Sequence, residues 1–324
     1  MKNNKKALLA LAVALLVSLF THPVGATPTD KFEGTIIFDK AYAGFHIFKI
    51  DGAHPQKAIQ LTQKNKQHYE DYEEPTWSPD GRKIAFVVKE GPLERQNIFI
   101  MDADGKNITK LTNFTKGLVF NLEWKSYRNE IDFTYNPNEP NKDILRRSIN
   151  IRTGNIRDIG KQFQKIGICS SIVPSPDDKV LLCLEWLAPN KDKMTIYYSL
   201  SAGKSAEDTL RYNGTLYGKV KERILDNASQ PLWSKDSSKF AVLMNDSLAL
   251  FDAQGDEIVR KKQRLCNINL TCLKNWPANS DKIVFACNCG TEGTQESIYL
   301  LDTKTMKKVF ISEGQNPDLY IGPK

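Results

Sequence analysis

Short apolar segments alternate with polar turns along most of this chain, and one arrangement of them recurs. Its clearest copy is the stretch 75–86, Pro-Thr-Trp-Ser-Pro-Asp-Gly-Arg-Lys-Ile-Ala-Phe, in which a polar turn separates two apolar segments. Weaker copies bracket a polar turn with an apolar pair seven residues apart: Trp124 and Ile131, Val173 and Val180, Trp233 and Phe240, Trp276 and Ile283. Copies that begin 43 to 60 residues apart in a strand-rich sequence predict a repeat architecture.

The clearest copy predicts four antiparallel strands. The first covers residues 74–78, and Pro79 and Gly81 favour a tight turn after it. The second strand covers 83–88. The third, 97–102, is apolar on both faces, as expected for a strand buried between packed sheets. A second turn at 102–105 precedes a fourth, more polar strand at 108–112. Each copy is therefore predicted to form one four-stranded sheet.

The two ends of the chain complement each other. The N-terminal copy supplies strands at 35–39, 46–51 and 58–62 but has no first strand, whereas residues 316–321 resemble a first strand with nothing after it. Joining the two gives six sheets and closes a ring, which protects strand edges that an open stack would expose. The sequence thus predicts an all-β, six-bladed β-propeller of four-stranded antiparallel blades, in which the C-terminal strand completes the N-terminal blade. An open β-sandwich or two separate β domains are the alternatives.

The first 26 residues have the three parts of a secretory signal peptide. Lys2, Lys5 and Lys6 form a basic region, residues 7–20 are apolar, and Val-Gly-Ala at 24–26 is a small-residue cleavage site. An uncleaved N-terminal anchor is the alternative. We expect cleavage near Ala26, a single propeller domain over 27–324 with no transmembrane segment, and a periplasmic or secreted bacterial protein.

The repeat resembles that of the TolB-type β-propellers. The resemblance lies in residues 75–86, in Ile-Phe-Ile-Met-Asp-Ala-Asp-Gly at 98–105 and in Lys-Leu-Thr at 110–112. It implies six blades and, by analogy with TolB, binding of a protein in the cell envelope. Similar repeats occur in serine peptidases and in oligogalacturonate lyases. However, the propeller here begins near Gly34, without the α/β domain that precedes it in TolB, and there is no Gly-x-Ser-x-Gly motif.

Charge and histidine content narrow the function further. The formal net charge is +7, of which three charges belong to the signal lysines, and the basic residues are not interleaved with aromatic ones, so we predict no nucleic-acid binding. His46, His54 and His68 share no spacing typical of metal ligands. We therefore predict no metal and no cofactor.

Six cysteines in an exported chain favour disulfides, although sequence alone allows 15 pairings. Cys169 and Cys183 flank one repeat turn and Cys272 and Cys287 flank another, which favours a bond within each hairpin. Cys266 and Cys289 would then form the third pair. A Cys266–Cys272 bond, or reduced buried thiols, are the alternatives.

The repeated tryptophans and turn residues serve every copy, so we expect them to pack between blades rather than to bind a ligand. The loops that differ between copies remain as candidates for a binding face. They lie before the first strands and between the second and third, and they carry His68, Tyr69, Tyr72, Glu73, Phe114 and Tyr135. We predict a monomeric, non-catalytic scaffold that binds a protein or peptide through this face. The alternative is an enzyme or carbohydrate-binding module with its site in the central channel.

Overall fold

The computed structural model shows a propeller built from strands. It describes residues 30–41, 44–63, 70–91, 95–125, 129–161, 171–189, 191–200, 209–212, 215–226, 228, 231–244, 247–262, 265–266, 271–287 and 296–322. The expected signal peptide at 1–26 lies outside these residues. Within the described ranges, all the regular secondary structure is β-strand. These ranges contain no helix long and apolar enough to cross a membrane.

Twenty-five strands follow one another through the described residues. Those of the first three blades are β1 (Thr35–Ala41), β2 (Phe45–Asp51), β3 (Ala58–Gln60), β4 (Glu70–Trp77), β5 (Lys83–Glu90), β6 (Arg95–Asp102), β7 (Thr109–Lys110), β8 (Leu118–Trp124), β9 (Glu130–Asn136), β10 (Leu145–Asn150) and β11 (Ile156–Lys161). Those of the remaining blades are β12 (Ser171–Pro174), β13 (Val180–Ala188), β14 (Lys191–Ser199), β15 (Thr209–Tyr212), β16 (Thr215–Leu225), β17 (Leu232–Trp233), β18 (Lys239–Met244), β19 (Ser247–Asp252), β20 (Glu257–Lys262), β21 (Thr271–Asn275), β22 (Lys282–Cys287), β23 (Ser297–Asp302) and β24 (Lys308–Glu313). The last strand, β25 (Gln315–Tyr320), returns to the first blade.

These strands form six antiparallel sheets, which confirms the predicted propeller. Blade 1 has the order β25-β1-β2-β3, so the C-terminal strand pairs with the N-terminal one, Thr35 opposite Tyr320. Blades 2, 3, 5 and 6 are β4–β7, β8–β11, β17–β20 and β21–β24. Blade 4 differs from the prediction because the chain between β14 and β16 adds a fifth strand, β15, outside β16.

The turn after the first strand has the same chemistry in blades 2, 4 and 5. In blade 2, the Ser78 hydroxyl donates to Asp80 at 2.7 Å and accepts the backbone N–H of Lys83 at 2.9 Å. The matching bonds in blades 4 and 5 join Ser175 to Asp177 and Val180, and Ser234 to Asp236 and Lys239. This alignment corrects the repeat in blade 4: Pro174, which pairs with Leu181, occupies the tryptophan position, and Val173 lies one residue before it.

The apolar cores lie between neighbouring blades. Trp77 packs with Ile37 and Ile47 of blade 1, and Trp276 packs with residues of blade 5. Trp233 belongs to the cluster between blades 4 and 5, and Trp124 packs against the cluster between blades 2 and 3. The prediction that the repeated tryptophans pack between blades is therefore confirmed.

The disulfide pairing differs from the predicted one. Cys266 is bonded to Cys287, with their Cα atoms 5.6 Å apart. The predicted Cys272–Cys287 bond is wrong because Cys287 is bonded to Cys266, and in the β21–β22 pair the residue opposite Cys287 is Thr271. The alternative Cys266–Cys272 bond and the Cys266–Cys289 pair are excluded with it. Cys183 is also disulfide-bonded; Cys169 and Cys289 lie outside the described residues.

Candidate functional site

A cavity of about 500 Å³ occupies the centre of the ring. Its walls come from the first strand of each blade or the turn that follows it, and they include Pro75, Trp124, Pro176, Leu232 and Trp276. On β4 the lining runs only from the middle of the strand into the turn toward β5. The cavity therefore lies in the half of the channel nearer to the turns between first and second strands. The loops predicted as a binding face are at the opposite end.

Four of the first strands carry a β-bulge beside this cavity. The pairing registers shift by one residue between Glu73 and Thr76 on β4, and at corresponding places on β8, β21 and β25. Glu74, Asn121 and Asn316 have φ values of 51°, 56° and 47°, in the left-handed region that non-glycine residues rarely adopt. A bulge redirects side chains out of the regular alternation. The bulged residues Glu74, Asn121 and Asn316 all line the cavity.

Several charges at the cavity are neutralised by neighbours. The buried Asp318 carboxylate accepts the backbone N–H of Trp77 at 2.7 Å and the hydroxyl of Thr76 at 2.8 Å. Its other oxygen is 3.2 Å from the ammonium of Lys235. Glu123 pairs with Lys125 at 3.2 Å and with Arg146 at 3.5 Å. The bonds of Asp318 thus link blades 1, 2 and 5, whereas the pairs of Glu123 lie within blade 3.

Glu74 and Lys274 also line the cavity but, unlike Asp318 and Glu123, they form no ion pair with a described residue. One Glu74 oxygen accepts the backbone N–H of Asn121 at 2.6 Å, and the Lys274 ammonium donates to Asn316 Oδ1 at 3.0 Å. Burial raises the pKa of Glu74 from 4.5 to about 7, against the lowering effects of the Asn121 hydrogen bond and of the nearby Lys274 charge. Among the described residues, neither side chain has a partner within ion-pair distance.

The structure describes only some of the residues of the predicted binding face. His68 and Tyr69 lie outside the described residues, so their role stays a prediction. A residue on a binding loop should be exposed, but only 6% of the Tyr72 surface is accessible, and its ring stacks on His46 at 5.9 Å between centroids. Glu73 pairs with Lys89 at 2.8 Å. The expected exposure of Tyr72 is wrong because β4 begins at residue 70 and carries this ring into the core between blades 1 and 2.

Phe114 and Tyr135 do come together. Their ring centroids are 4.6 Å apart, and the Arg147 guanidinium lies 4.4 Å above the Tyr135 ring. Tyr135 is 9% exposed and donates its hydroxyl to the carbonyl of Lys116 at 3.1 Å. Such a cation–π cluster also stabilises the blade. That Phe114 and Tyr135 contact a partner stays a prediction.

Sequence reasoning missed Glu74 and Lys274. Both lie two or three residues before a repeated tryptophan, at 77 and 276, where a regular strand gives no reason to expect a channel residue. The available signal is a polar residue in the same short window of several copies: Glu74, Asn121 and Lys274. In the described part of the chain, no group of three His, Cys, Asp or Glu side chains is placed to hold a metal ion.

Comparison with known proteins shows likeness at the level of structure. No family model and no curated protein matches the sequence. TolB from Acinetobacter baumannii is similar over 94% of this chain and 70% of its own, with a TM-score of 0.58 and 16% identity. A structure of a nidogen/laminin complex is similar over 88% of this chain and 98% of that chain, with a TM-score of 0.54 and 10% identity.

A structure from a study of two prolyl endopeptidases is similar over 91% of this chain but only half of its own, with a TM-score of 0.50 and 11% identity. At such identities the likeness concerns the fold. It confirms the expected resemblance to the TolB propeller.

Proposed function

We propose that this protein is an exported, non-catalytic β-propeller that binds a protein or peptide partner in the cell envelope. In this proposal residues 1–26 are a cleaved signal peptide, and residues 27–324 form one monomeric domain. The observation that carries it is the cavity of about 500 Å³ at the centre of the ring. That volume is typical of ligand sites, which combine apolar walls with a few placed polar groups.

The composition of the wall suits an extended peptide. Trp124 and several prolines offer rigid apolar surface, and Asn121, Asn275 and Asn316 offer amide groups to a peptide backbone. The wall is also rigid because it consists of strands paired on their outer side. The Cys266–Cys287 disulfide favours an oxidising compartment such as the periplasm.

Site-specific photo-crosslinking tests this proposal. A benzophenone amino acid replaces Leu122, which lines the cavity, and in a control protein it replaces Ile258, which is 55% exposed on β20. We expect a discrete adduct with one envelope protein from position 122 and none from position 258. Mass spectrometry of the adduct identifies the peptide in the channel. Absence of any adduct at position 122, with folding intact, would contradict the proposal.

A second candidate is an enzyme or carbohydrate-binding module that uses the same cavity. The observation that favours it is Glu74, because a carboxyl group with a pKa of about 7 suits general acid–base chemistry. Glycan arrays and hydrolase substrates tested against the Glu74→Gln variant distinguish the two. Turnover that this substitution abolishes would establish the enzyme; glycan binding without turnover would establish the module.

A further inference from the structure

Lys274 is the cationic group in the cavity that lacks a matching carboxylate. Its ammonium is exposed to the channel and donates to the neutral Oδ1 of Asn316 at 3.0 Å. By contrast, Lys235 is 3.2 Å from Asp318. No carboxylate of the described residues lies within ion-pair distance of Lys274, although the exposed lysines of this protein commonly have one, as Lys106 does with Asp104 at 2.8 Å.

Glu74 lies close enough to influence this charge without neutralising it. The two groups attract each other but do not form an ion pair, and burial keeps the Glu74 carboxyl partly protonated at neutral pH. The charged groups around it are Glu73 and Lys89 of blade 2, Asp39 of blade 1 and Lys274 itself. Glu73 is paired with Lys89, and Asp39 accepts from Gln315 at 3.0 Å, so neither of these acids pairs with Lys274.

Neutral hydrogen-bond donors border the same space. Asn275 uses its Oδ1 to accept the backbone N–H of Leu319 at 3.3 Å, which leaves its amide nitrogen for another acceptor. A protonated Glu74 adds an O–H donor. One cation, one amide and one acid that can donate make a set suited to an anionic oxygen ligand of carboxylate size.

We infer that the channel cavity binds a carboxylate of its ligand against Lys274, with Asn275 and the Glu74 carboxyl group beside it. This inference rests on the proposed function and names the chemistry of the bound peptide. The carboxylate belongs either to an Asp or Glu side chain or to the C-terminus of the peptide. Binding an anion there disfavours ionisation of Glu74, so the complex takes up a proton and its affinity falls as pH rises through about 7.

Intrinsic tryptophan fluorescence can test this, because Trp77, Trp124 and Trp276 line the cavity. The probes are acetyl-Gly-Asp-Gly-amide, acetyl-Gly-Gly-Gly with a free C-terminus, and neutral acetyl-Gly-Gly-Gly-amide. We expect saturable binding of at least one carboxylate peptide, at least tenfold tighter than that of the neutral one. The peptide that binds identifies the source of the carboxylate.

Lys274→Met should weaken carboxylate binding at least tenfold, whereas Lys57→Met, at an exposed position far from the first strands, should leave it unchanged. Affinity should be several-fold higher at pH 6 than at pH 8, and Glu74→Gln should remove most of this difference. Circular dichroism verifies that the variants fold.

The inference fails if the carboxylate peptides bind no better than the neutral one, or if Lys274→Met binds them as the parent does. Failure of this inference is separable from failure of the proposed function. An adduct at position 122 that persists in Lys274→Met leaves a peptide-binding propeller without a carboxylate site. Carboxylate binding without any adduct leaves a small-molecule site without a protein partner.

Discussion

Lys125 shows how a single residue can join two blades. It follows the repeated tryptophan of blade 3, where blades 2, 4 and 5 carry the turn serine, and its side chain is only 6% exposed. Its ammonium lies 3.5 Å from Asp132 of the same blade and 3.9 Å from Asp178 of blade 4. Burial lowers the pKa of Lys125, but the surrounding carboxylates, led by Glu123, outweigh burial and raise it overall.

Replacing Lys125 with methionine should therefore be strongly destabilising. Asp132 is nearly buried and would lose its ion pair with Lys125, which costs about 3–5 kcal/mol of unfolding free energy. Urea denaturation measures the loss. Lys179→Met, which removes an exposed pair with Asp177, serves as the control and should cost less than about 1 kcal/mol. Similar losses in the two variants would show that the buried cluster contributes no more than a surface pair.

Glu74 should make stability depend on pH in an identifiable way. Its pKa is about 7 in the folded protein and near 4.5 when unfolded, so the folded state holds a proton that the unfolded state releases between these values. The stabilising contribution is present in full below pH 4.5 and is lost as pH rises to 7, a change of up to about 3 kcal/mol.

Glu74→Gln should abolish that change. Unfolding free energies of both proteins, measured from pH 4.5 to 8, should differ increasingly in favour of the variant as pH rises. The pKa of Asp39 is raised mainly by burial and to a small extent by the Glu74 charge, so most of its contribution, present in both proteins, cancels in the difference. A difference that stays constant across this range would mean that Glu74 is ordinarily solvated.

At the scale of strands and turns, the sequence predicted what is periodic and missed what breaks the period. The second strand of each blade follows from its apolar run. The bulges on β4, β8, β21 and β25 could not be predicted, because one extra residue in a short strand produces no recognisable change in the pattern of apolar and polar residues. The same offset of one residue decided the cysteine pairing, since the bulge near Lys274 changes which residue lies opposite Cys287. Glu74 and Lys274 could not be assigned to the channel for this reason.

Gly81 is a turn residue whose role extends beyond its own turn. Its φ is +67°, and a Cβ atom there would overlap the Tyr320 ring of β25. Gly81→Ala should therefore lower the free energy of unfolding by about 2–4 kcal/mol, because alanine is strained in the left-handed conformation and its methyl group must displace that ring. Thermal or urea unfolding measures it.

Gly154 provides the matched control for this prediction. Its φ is +73°, but nothing lies within 4 Å of the Cβ position, so Gly154→Ala should cost only about 1–2 kcal/mol. The additional loss of unfolding free energy in Gly81→Ala, relative to Gly154→Ala, measures the effect of the contact with Tyr320. Equal costs in the two variants would indicate that the ring moves away freely.

At the scale of the whole molecule, the missing first strand near the N-terminus and the unmatched strand at the C-terminus were enough to predict closure of the ring. The structure adds how the closing strand is held. Asp318 of β25 binds the backbone of Trp77 in blade 2 and the ammonium of Lys235 in blade 5, so one carboxylate on the closing strand links three blades. Leu319 belongs to the core between blades 6 and 1.

A chain that ends at Glu313 should therefore lose more than one strand. Removing β25 exposes the edge of β1, opens the cavity on one side and leaves the Trp77 amide without its acceptor. We expect loss of a single cooperative urea transition and a weaker near-ultraviolet circular dichroism signal. A chain that ends at Ile321 keeps β25 and removes only the last three residues, so it should unfold as the full chain does. If the shorter chain unfolds at the same midpoint as that control, the ring does not depend on closure, and each blade is stable through its neighbours alone.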